Sequence, residues 1–335
     1  MGDKTWSEFE IINRFFRTIG NRSAEGVITG IGDDAAVISE TGKQPLLITH
    51  DMMIEDIHYK SRWMSPFQLA RKLVAVNVSD IAAMGGIPLY ALLALALPDP
   101  MEKGWIEGFR KGLGDALKSF GISLIGGDTS QSPGPVMVAL TLFGKNDGGT
   151  PVLRHHPKAG DTLYVTGTLG DAALGLTILN QKGQDPALTE EETFLARRHL
   201  DPTPRVGLGR EIASKQIATA MIDISDGLIA DLDHLLEGAS IGAEIHVESL
   251  PCSEAFKQVA PRYHESPEIL ALSGGEDYEL LFTSPIPPDK LTLSPPTAVT
   301  PIGRITDTPG ITILKHGNPV SLDARGFQHL FHQKG

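Results

Sequence analysis

Acidic residues stand beside glycines and at the ends of predicted strands in five separated runs. They are Gly30-Ile31-Gly32-Asp33-Asp34, Thr49-His50-Asp51, Asn77-Val78-Ser79-Asp80, Gly126-Gly127-Asp128-Thr129 and Asp223-Ile224-Ser225-Asp226-Gly227. Two carboxylates about 4 Å apart repel by about 4 kcal/mol at an effective dielectric of about 20. A fold that gathers them must neutralise them, and bound divalent cations do so most cheaply. Several Mg2+ ions in an oxygen-lined site point to phosphate chemistry.

Each run has a plainer reading beside that one. Leu69, Leu73, Val76 and Asp80 fall at steps of four, three and four, and so share one helix face. The opposite stripe, Ala70, Val74, Asn77, Ile81 and Met84, is also mostly apolar. A helix apolar on every side is buried, so Asp80 must be paired with a distant cation or bound to a metal. Asp51 ends a predicted strand. Neighbours on a strand point to opposite faces, so His50 and Asp51 are not a catalytic pair and His50 is expected at the surface. His58 follows Met52 to Ile57 and reaches a ligand from a loop, or else stays idle there. Gly126-Gly127-Asp128-Thr129 is either a close backbone approach with Asp128 as a ligand or an ordinary tight turn. Asp226 either binds metal or caps the helix that Gly227 begins; capping leaves Asp223 unexplained.

Other motifs exclude chemistry. Gly30-x-Gly32-x-x-Ala35 matches a dinucleotide fingerprint, but a strand follows where a helix is needed, and Asp33 and Asp34 repel a bare pyrophosphate. Gly167-x-x-Gly170-Asp171, after a strand and before a helix, is a possible anion nest without a P-loop lysine. No Gly-x4-Gly-Lys-[Ser/Thr] run and no protein-kinase triplet occurs. Zinc-like spacing is absent, His155-His156 reads as an exposed pair, and Cys252 has no setting for a catalytic thiol.

The elements that must carry these residues follow from periodicity. Trp6 to Ile19 reads as an amphipathic helix. Val27 to Thr29, Ala35 to Ile38 and Leu46 to Thr49 read as strands. Ser65-Pro66 starts a helix that runs to Met84 and stops at Gly85-Gly86-Ile87-Pro88. Leu89 to Leu97, Val136 to Phe143, Thr162 to Val165 and Ala218 to Ile222 are strands. Glu102 to Phe120, Gly170 to Leu179, Glu190 to His199, Val206 to Ala213 and Gly227 to Gly238 are helices. The pattern breaks at Lys145 to Gly149, which divides the chain into domains 1–148 and 149–335 of an α/β (α+β) fold.

Bulk properties narrow the partners. The 335 residues suffice for two domains. A net charge of −12 without a basic stripe argues against nucleic acid or an acidic membrane surface, and a polyanionic ligand then needs metal ions as intermediaries. One cysteine rules out an internal disulfide, no apolar run approaches the roughly 20 residues of a membrane span, and the N-terminus lacks a secretion signal. A cytoplasmic protein is expected.

Taken together, the runs resemble the thiamine-monophosphate kinase family, within the superfamily of aminoimidazole ribonucleotide synthetase and selenophosphate synthetase. The resemblance spans nearly the whole chain. It rests on Gly30 to Ala35, Asn77 to Gly85, Gly126 to Thr129, Val165 to Gly170, Asp223 to Leu228 and Ser273-Gly274-Gly275-Glu276-Asp277-Tyr278-Glu279-Leu280. The last run, with His58, is specific to the kinases. The resemblance implies a homodimer whose N-terminal domains pair into a β-barrel flanked by helices, with ATP as co-substrate and several Mg2+ ions in clefts beside it. It implies Asp34, Thr49, Asp51, Asp80, Asp128, Asp223 and Asp226 as metal ligands. Gly127, Asp128, Arg154 and Ser225 would contact the nucleotide, and His58, Glu276 and Phe327 the thiamine phosphate. Asp128, Asp223 and Arg154 would serve the transfer itself.

The chain departs from that family at His50, where a second hydroxyl residue is common, and at Asp56, an extra charge in a loop of small residues. Two rivals stand beside this reading. A selenophosphate or aminoimidazole ribonucleotide synthetase shares the scaffold, but no cysteine lies near the N-terminus for the former. A non-catalytic, metal-dependent nucleotide-binding dimer would bind ATP without consuming it.

Overall fold

The computed structural model of the chain describes residues 5–12, 26–39, 44–146, 150–185, 187–321, 326 and 330–332. The first half begins with β1 (Thr5–Ser7), α1 (Glu8–Ile11), β2 (Val27–Thr29), β3 (Ala36–Ile38) and β4 (Leu46–Ile54). It continues through α2 (Pro66–Ala83), β5 (Gly86–Leu97), α3 (Lys103–Phe120), β6 (Ser123–Gln131) and β7 (Met137–Asn146). Six strands form a sheet in the order β2-β3-β4-β7-β5-β6. Its neighbours are antiparallel except for β5 and β6.

Helix α2 is the axis of this half. Ser65 Oγ accepts the Gln68 N–H and Gln68 Oε1 accepts the Ser65 N–H, a capping box with Pro66 in the first turn. The helix packs on α3, β4 and β7, and thirteen of its residues are buried, so no polar face remains. Gly85 (φ +70) ends it.

The second half holds β8 (Thr162–Thr166), α4 (Asp171–Lys182), α5 (Glu190–Leu200), α6 (Val206–Ser214), β9 (Ala220–Asp223), α7 (Leu228–Leu236) and β10 (Gly242–His246). After these come α8 (Glu254–Val259), α9 (Pro267–Ser273), β11 (Leu280–Ser284), β12 (Val299–Thr306), β13 (Gly310–Lys315) and β14 (Asn318–Pro319); β15 (Leu330–His332) pairs back with β1. Seven strands form a sheet in the order β14-β13-β10-β12-β8-β11-β9. Helices α4 and α5 touch closely: a Cβ on Gly175 would fall 2.1 Å from the Leu195 carbonyl oxygen. Two large sheets, the small β1–β15 pair and the helices between them make the expected α/β (α+β) class.

Three expectations change. Trp6 and Ser7 lie in a strand, because pairing with Phe331 and Leu330 outweighs their helical spacing. The helix there spans only Glu8–Ile11, and 13–19 fall outside the described residues. Strand β5 begins at Gly86, with Pro88 accommodated beside a register shift. Gly126-Gly127-Asp128-Thr129 is no turn: all four lie inside β6, an edge strand whose nine residues are all exposed. Gly127 is required there by packing, since a Cβ would fall 1.9 Å from the Leu93 carbonyl oxygen.

Candidate active site

A cleft of about 800 Å³ opens between the two halves of the chain. One wall is the end of β4 and the segment to Trp63; the other includes Leu176, Ser225, Asp226 and Tyr278. Its floor is α2, which presents Val76 and Asp80; Lys72, one turn earlier on the same face, is buried beneath the cleft wall.

The acidic side chains converge at one end. Thr49 Oγ1 donates to Asp80 Oδ2, and the Asp51 N–H donates to Asn77 Oδ1 at 3.2 Å. Ser79 Oγ donates to Asp223 Oδ2 at 2.5 Å. Burial, then the charges of Asp51 and Asp223, pushes the Asp80 carboxyl well above the usual carboxylate range. Burial pushes Asp223 up to about 7, with Asp51 and Asp226 adding repulsion against the Ser79 hydrogen bond. Asp34 is raised well above its ordinary value by burial and by Asp223 and Asp33. Arg154 lies 3.8 Å from Asp34 Oδ1, but Asp34 Oδ2 and Arg154 Nε are buried without hydrogen-bond partners.

These groups are the ones a cation would satisfy. Among the described residues no three acidic, histidine or cysteine side chains are grouped so as to hold an ion unaided. Mg2+ does not require such a group: it typically takes one or two carboxylates and completes its shell with water and substrate phosphate oxygens. The orphaned Asp34 oxygen and the mutual repulsion of Asp34, Asp80 and Asp223 fit such an ion.

The loop after β9 is built by a residue that the sequence did not advertise. Asp231 Oδ2 accepts the N–H groups of Ser225, Asp226 and Gly227 at 3.0–3.1 Å. It thereby fixes the turn that leads from β9 into α7, whose N-cap is Gly227.

The Gly167-x-x-Gly170 nest is likewise filled from within. Asp277 accepts from the N–H of Gly170 at 2.6 Å and of Ala172 at 3.1 Å, which leaves no phosphate site there. Below it Glu279, with no exposed surface, meets Arg198 and Arg205 and accepts from Thr166 Oγ1 at 2.7 Å.

Glu276, His58, Tyr278 and Trp63 also line the cleft. Glu276 (φ +68) and Tyr278 (φ +51) both occupy the left-handed region, a strained conformation found where side chains must be aimed. The Glu276 carboxylate pairs with buried Lys72 at 2.9 Å. Although burial pushes it up, Lys72 and His199 together hold it well below the usual range. Burial and the surrounding acids push the Tyr278 phenol well above 10. His58 Nδ1 accepts the Ile54 N–H at 3.0 Å, so a neutral ring carries its proton on Nε2. His50 is exposed, with Nδ1 2.9 Å from Thr141 Oγ1.

The chain matches two family models in succession. Residues 32–145 match the AIR synthase related protein N-terminal domain, and residues 158–314 the corresponding C-terminal domain. The thiamine-monophosphate kinase of Escherichia coli K12 is 39% identical over 330 residues, covering 96% of this chain and 98% of that protein. The chain belongs to the thiamine-monophosphate kinase family. The Haemophilus influenzae thiamine-monophosphate kinase is 40% identical over 338 residues, covering 98% and 99% of the two chains. AaThiL complexed with AMPPCP and TMP superposes with a TM-score of 0.83 at 33% identity, covering 96% of this chain and 97% of that one.

For a member of this kinase family, the structure unites Asp34, Thr49, Asp51, Asp80, Asp223 and Asp226 near one end of the cleft, with Arg154 against Asp34. Ser225 and Glu276 line the same cleft. Gly127 and Asp128 stand apart. The register Asp51–Leu140–Leu93–Gly127 places Gly127 three strands from Asp51, about 14 Å at the usual strand spacing. Phe327 lies outside the described residues. Lys72, His199 and Asp231 were not singled out, and Tyr278 entered only as part of the Ser273 to Leu280 run. A lysine inside a helix apolar on all sides was the one legible signal among them.

Proposed function

We propose that the chain is an ATP-dependent thiamine-monophosphate kinase that makes thiamine diphosphate by direct in-line transfer. The bond from the γ-phosphorus of ATP to its bridging oxygen breaks, and a bond to a terminal phosphate oxygen of thiamine monophosphate forms. The convergence of Asp34, Asp51, Asp80 and Asp223 beside one cleft, in a chain of this family, carries the reading. A phosphate monoester has its second pKa near 6 and is mostly ionised at neutral pH, so the nucleophile needs no strong general base. What opposes reaction is repulsion between two phosphate groups.

Asp34, Thr49, Asp51, Asp80, Asp223 and Asp226 would hold several Mg2+ ions. When bound, the ions screen the phosphates and stabilise charge on the transferring group. The protein's own part is placement. Thr49 and Ser79 orient Asp80 and Asp223 by hydrogen bonds. Arg154 places a positive charge beside Asp34, on the side read here as the nucleotide's. Ser225 is held by Asp231, and His58, Glu276 and Phe327 receive the thiamine phosphate.

Residues 1–148 form the ATP-binding and dimerisation domain in this reading, and 149–335 the second domain. An open edge strand such as β6 invites pairing. Pairing with a second copy would close a dimeric β-barrel and bring Gly127 and Asp128 of one protomer to the nucleotide of its partner. No helix among the described residues is long and apolar enough to cross a membrane.

The test is ADP release from ATP with and without thiamine monophosphate, scanned against Mg2+. Release that requires both is expected. ATP binding without acceptor-dependent turnover would instead favour a non-catalytic nucleotide-binding dimer.

A further inference from the structure

Lys72 has no exposed surface, yet it is charged and sits on an apolar helix. Its Nζ lies 2.9 Å from Glu276 Oε1 and 3.4 Å from His199 Nε2. His199, 1% exposed, places Nδ1 2.8 Å from Glu276 Oε2, close but off the line of a hydrogen bond. Glu276 alone of the three keeps a substantial part of its side chain, 28%, exposed. Both partners thus grip the carboxylate from the protein side and leave it open to the cleft.

Stability does not explain this arrangement well. A buried ion pair is often no more stabilising than apolar side chains of the same volume. The backbone also bears a left-handed residue at Glu276 to aim the group. The three residues come from α2, α5 and the segment after α9, so the carboxylate is fixed from two elements at once. Lys72 and Asp80 are eight residues apart on one face of α2, about 12 Å at 1.5 Å per residue. The helix therefore sets the distance between Glu276 and the phosphate-handling end. Trp63, its ring centroid 5.5 Å from that of His199, adds an aromatic wall beside the carboxylate.

We propose that Lys72 and His199 are positioning residues that hold Glu276 as a fixed anion facing the cationic ring portion of the phosphate acceptor. The proposal rests on the thiamine-monophosphate kinase reading. The acceptor's thiazolium carries a permanent positive charge and its aminopyrimidine carries N–H donors, and both suit an immobilised carboxylate.

The experiment is a double-mutant cycle on the full-length protein with Lys72→Met, Glu276→Gln and their combination. It follows KM for thiamine monophosphate, KM for ATP and kcat, with thermal melting as the check on folding. Lys72→Met is expected to raise KM for thiamine monophosphate by about tenfold or more and to leave KM for ATP unchanged. In the Glu276→Gln background the same substitution should add little. His199→Asn should act in the same direction more weakly, and decides the matter if Lys72→Met does not fold. Equal rises in both KM values, or an undiminished effect in the Glu276→Gln background, would make the cluster a scaffold and overturn the proposal. A wild-type protein with no thiamine-monophosphate turnover would sink the kinase reading itself and the proposal with it.

Discussion

Ser79 Oγ and Asp223 Oδ2 meet at 2.5 Å across 144 positions of sequence. The bond ties α2 of the first half to the end of β9 in the second, at the centre of the acidic cluster. The site is therefore assembled by the packing of the two halves, and neither carries it alone. Three buried or half-buried carboxylates are held together there against their mutual repulsion.

Such an arrangement trades stability for function. Asp80→Asn removes one charge from the cluster while keeping the side chain's shape. In metal-free buffer at pH 8 it is expected to raise the free energy of unfolding by about 1–3 kcal/mol. Kinase activity should fall by about a hundredfold or more. Urea denaturation in EDTA, alongside the ADP-release assay, checks both; lower stability together with full activity would contradict the site.

Asp277 makes a pH-dependent contribution that can be isolated. Burial pushes its folded-state pKa up to about 7, although Arg198 and two backbone N–H groups oppose the shift. An unfolded aspartate titrates near 3.9. Below about pH 4 both states hold the proton and the full contribution is present. As pH rises from about 4 to about 7 only the unfolded state releases it, so stability falls by at most about 1.4 kcal/mol per pH unit. Above about pH 7 the slope vanishes. Denaturation curves of the wild type relative to Asp277→Asn, taken from pH 5 to 8, should show that decline and then a plateau.

Much of this was legible beforehand, and the reasons differ by residue. Helix α2 was readable because Ser65, Pro66 and an all-round apolar pattern are local signals. Asp34, Asp80 and Asp223 were readable because a carboxylate beside a strand end or on a buried helix has few uses. Asp231 and Asp277 were not, because each caps backbone that lies at a distance or round a turn, and single-residue context cannot show that. Gly126 to Thr129 misled because paired glycines signal a turn unless a neighbouring strand needs the space, as β5 does here. Lys72 and His199 find Glu276 only in three dimensions.

Cys252 should be chemically quiet. Burial, then Asp171 and Asp277, pushes its thiol up to about 11. The thiolate is the reactive form, so at pH 8 iodoacetamide should modify it about two orders of magnitude more slowly than a thiol of pKa about 8.5. The rate should climb as the pH is raised toward 11. Mass spectrometry over time measures it, and rapid labelling at pH 8 would show that the site is open.

The edge strand β6 exposes Leu124 and Ile125, at 47% and 58%. If a second copy covers it, Ile125→Lys should convert a dimer into a monomer in light scattering. Activity should fall with it, because Gly127 and Asp128 would no longer reach the partner's nucleotide. An unchanged dimer would place the interface elsewhere.

The most direct measurement is the number of Mn2+ ions bound, by electron paramagnetic resonance, in the presence of AMPPCP. Wild-type protein should bind more than one ion per chain, and Asp34→Asn, Asp80→Asn and Asp223→Asn should each lose at least one while remaining folded. Ion binding undiminished in all three variants would contradict a cation site built from these carboxylates.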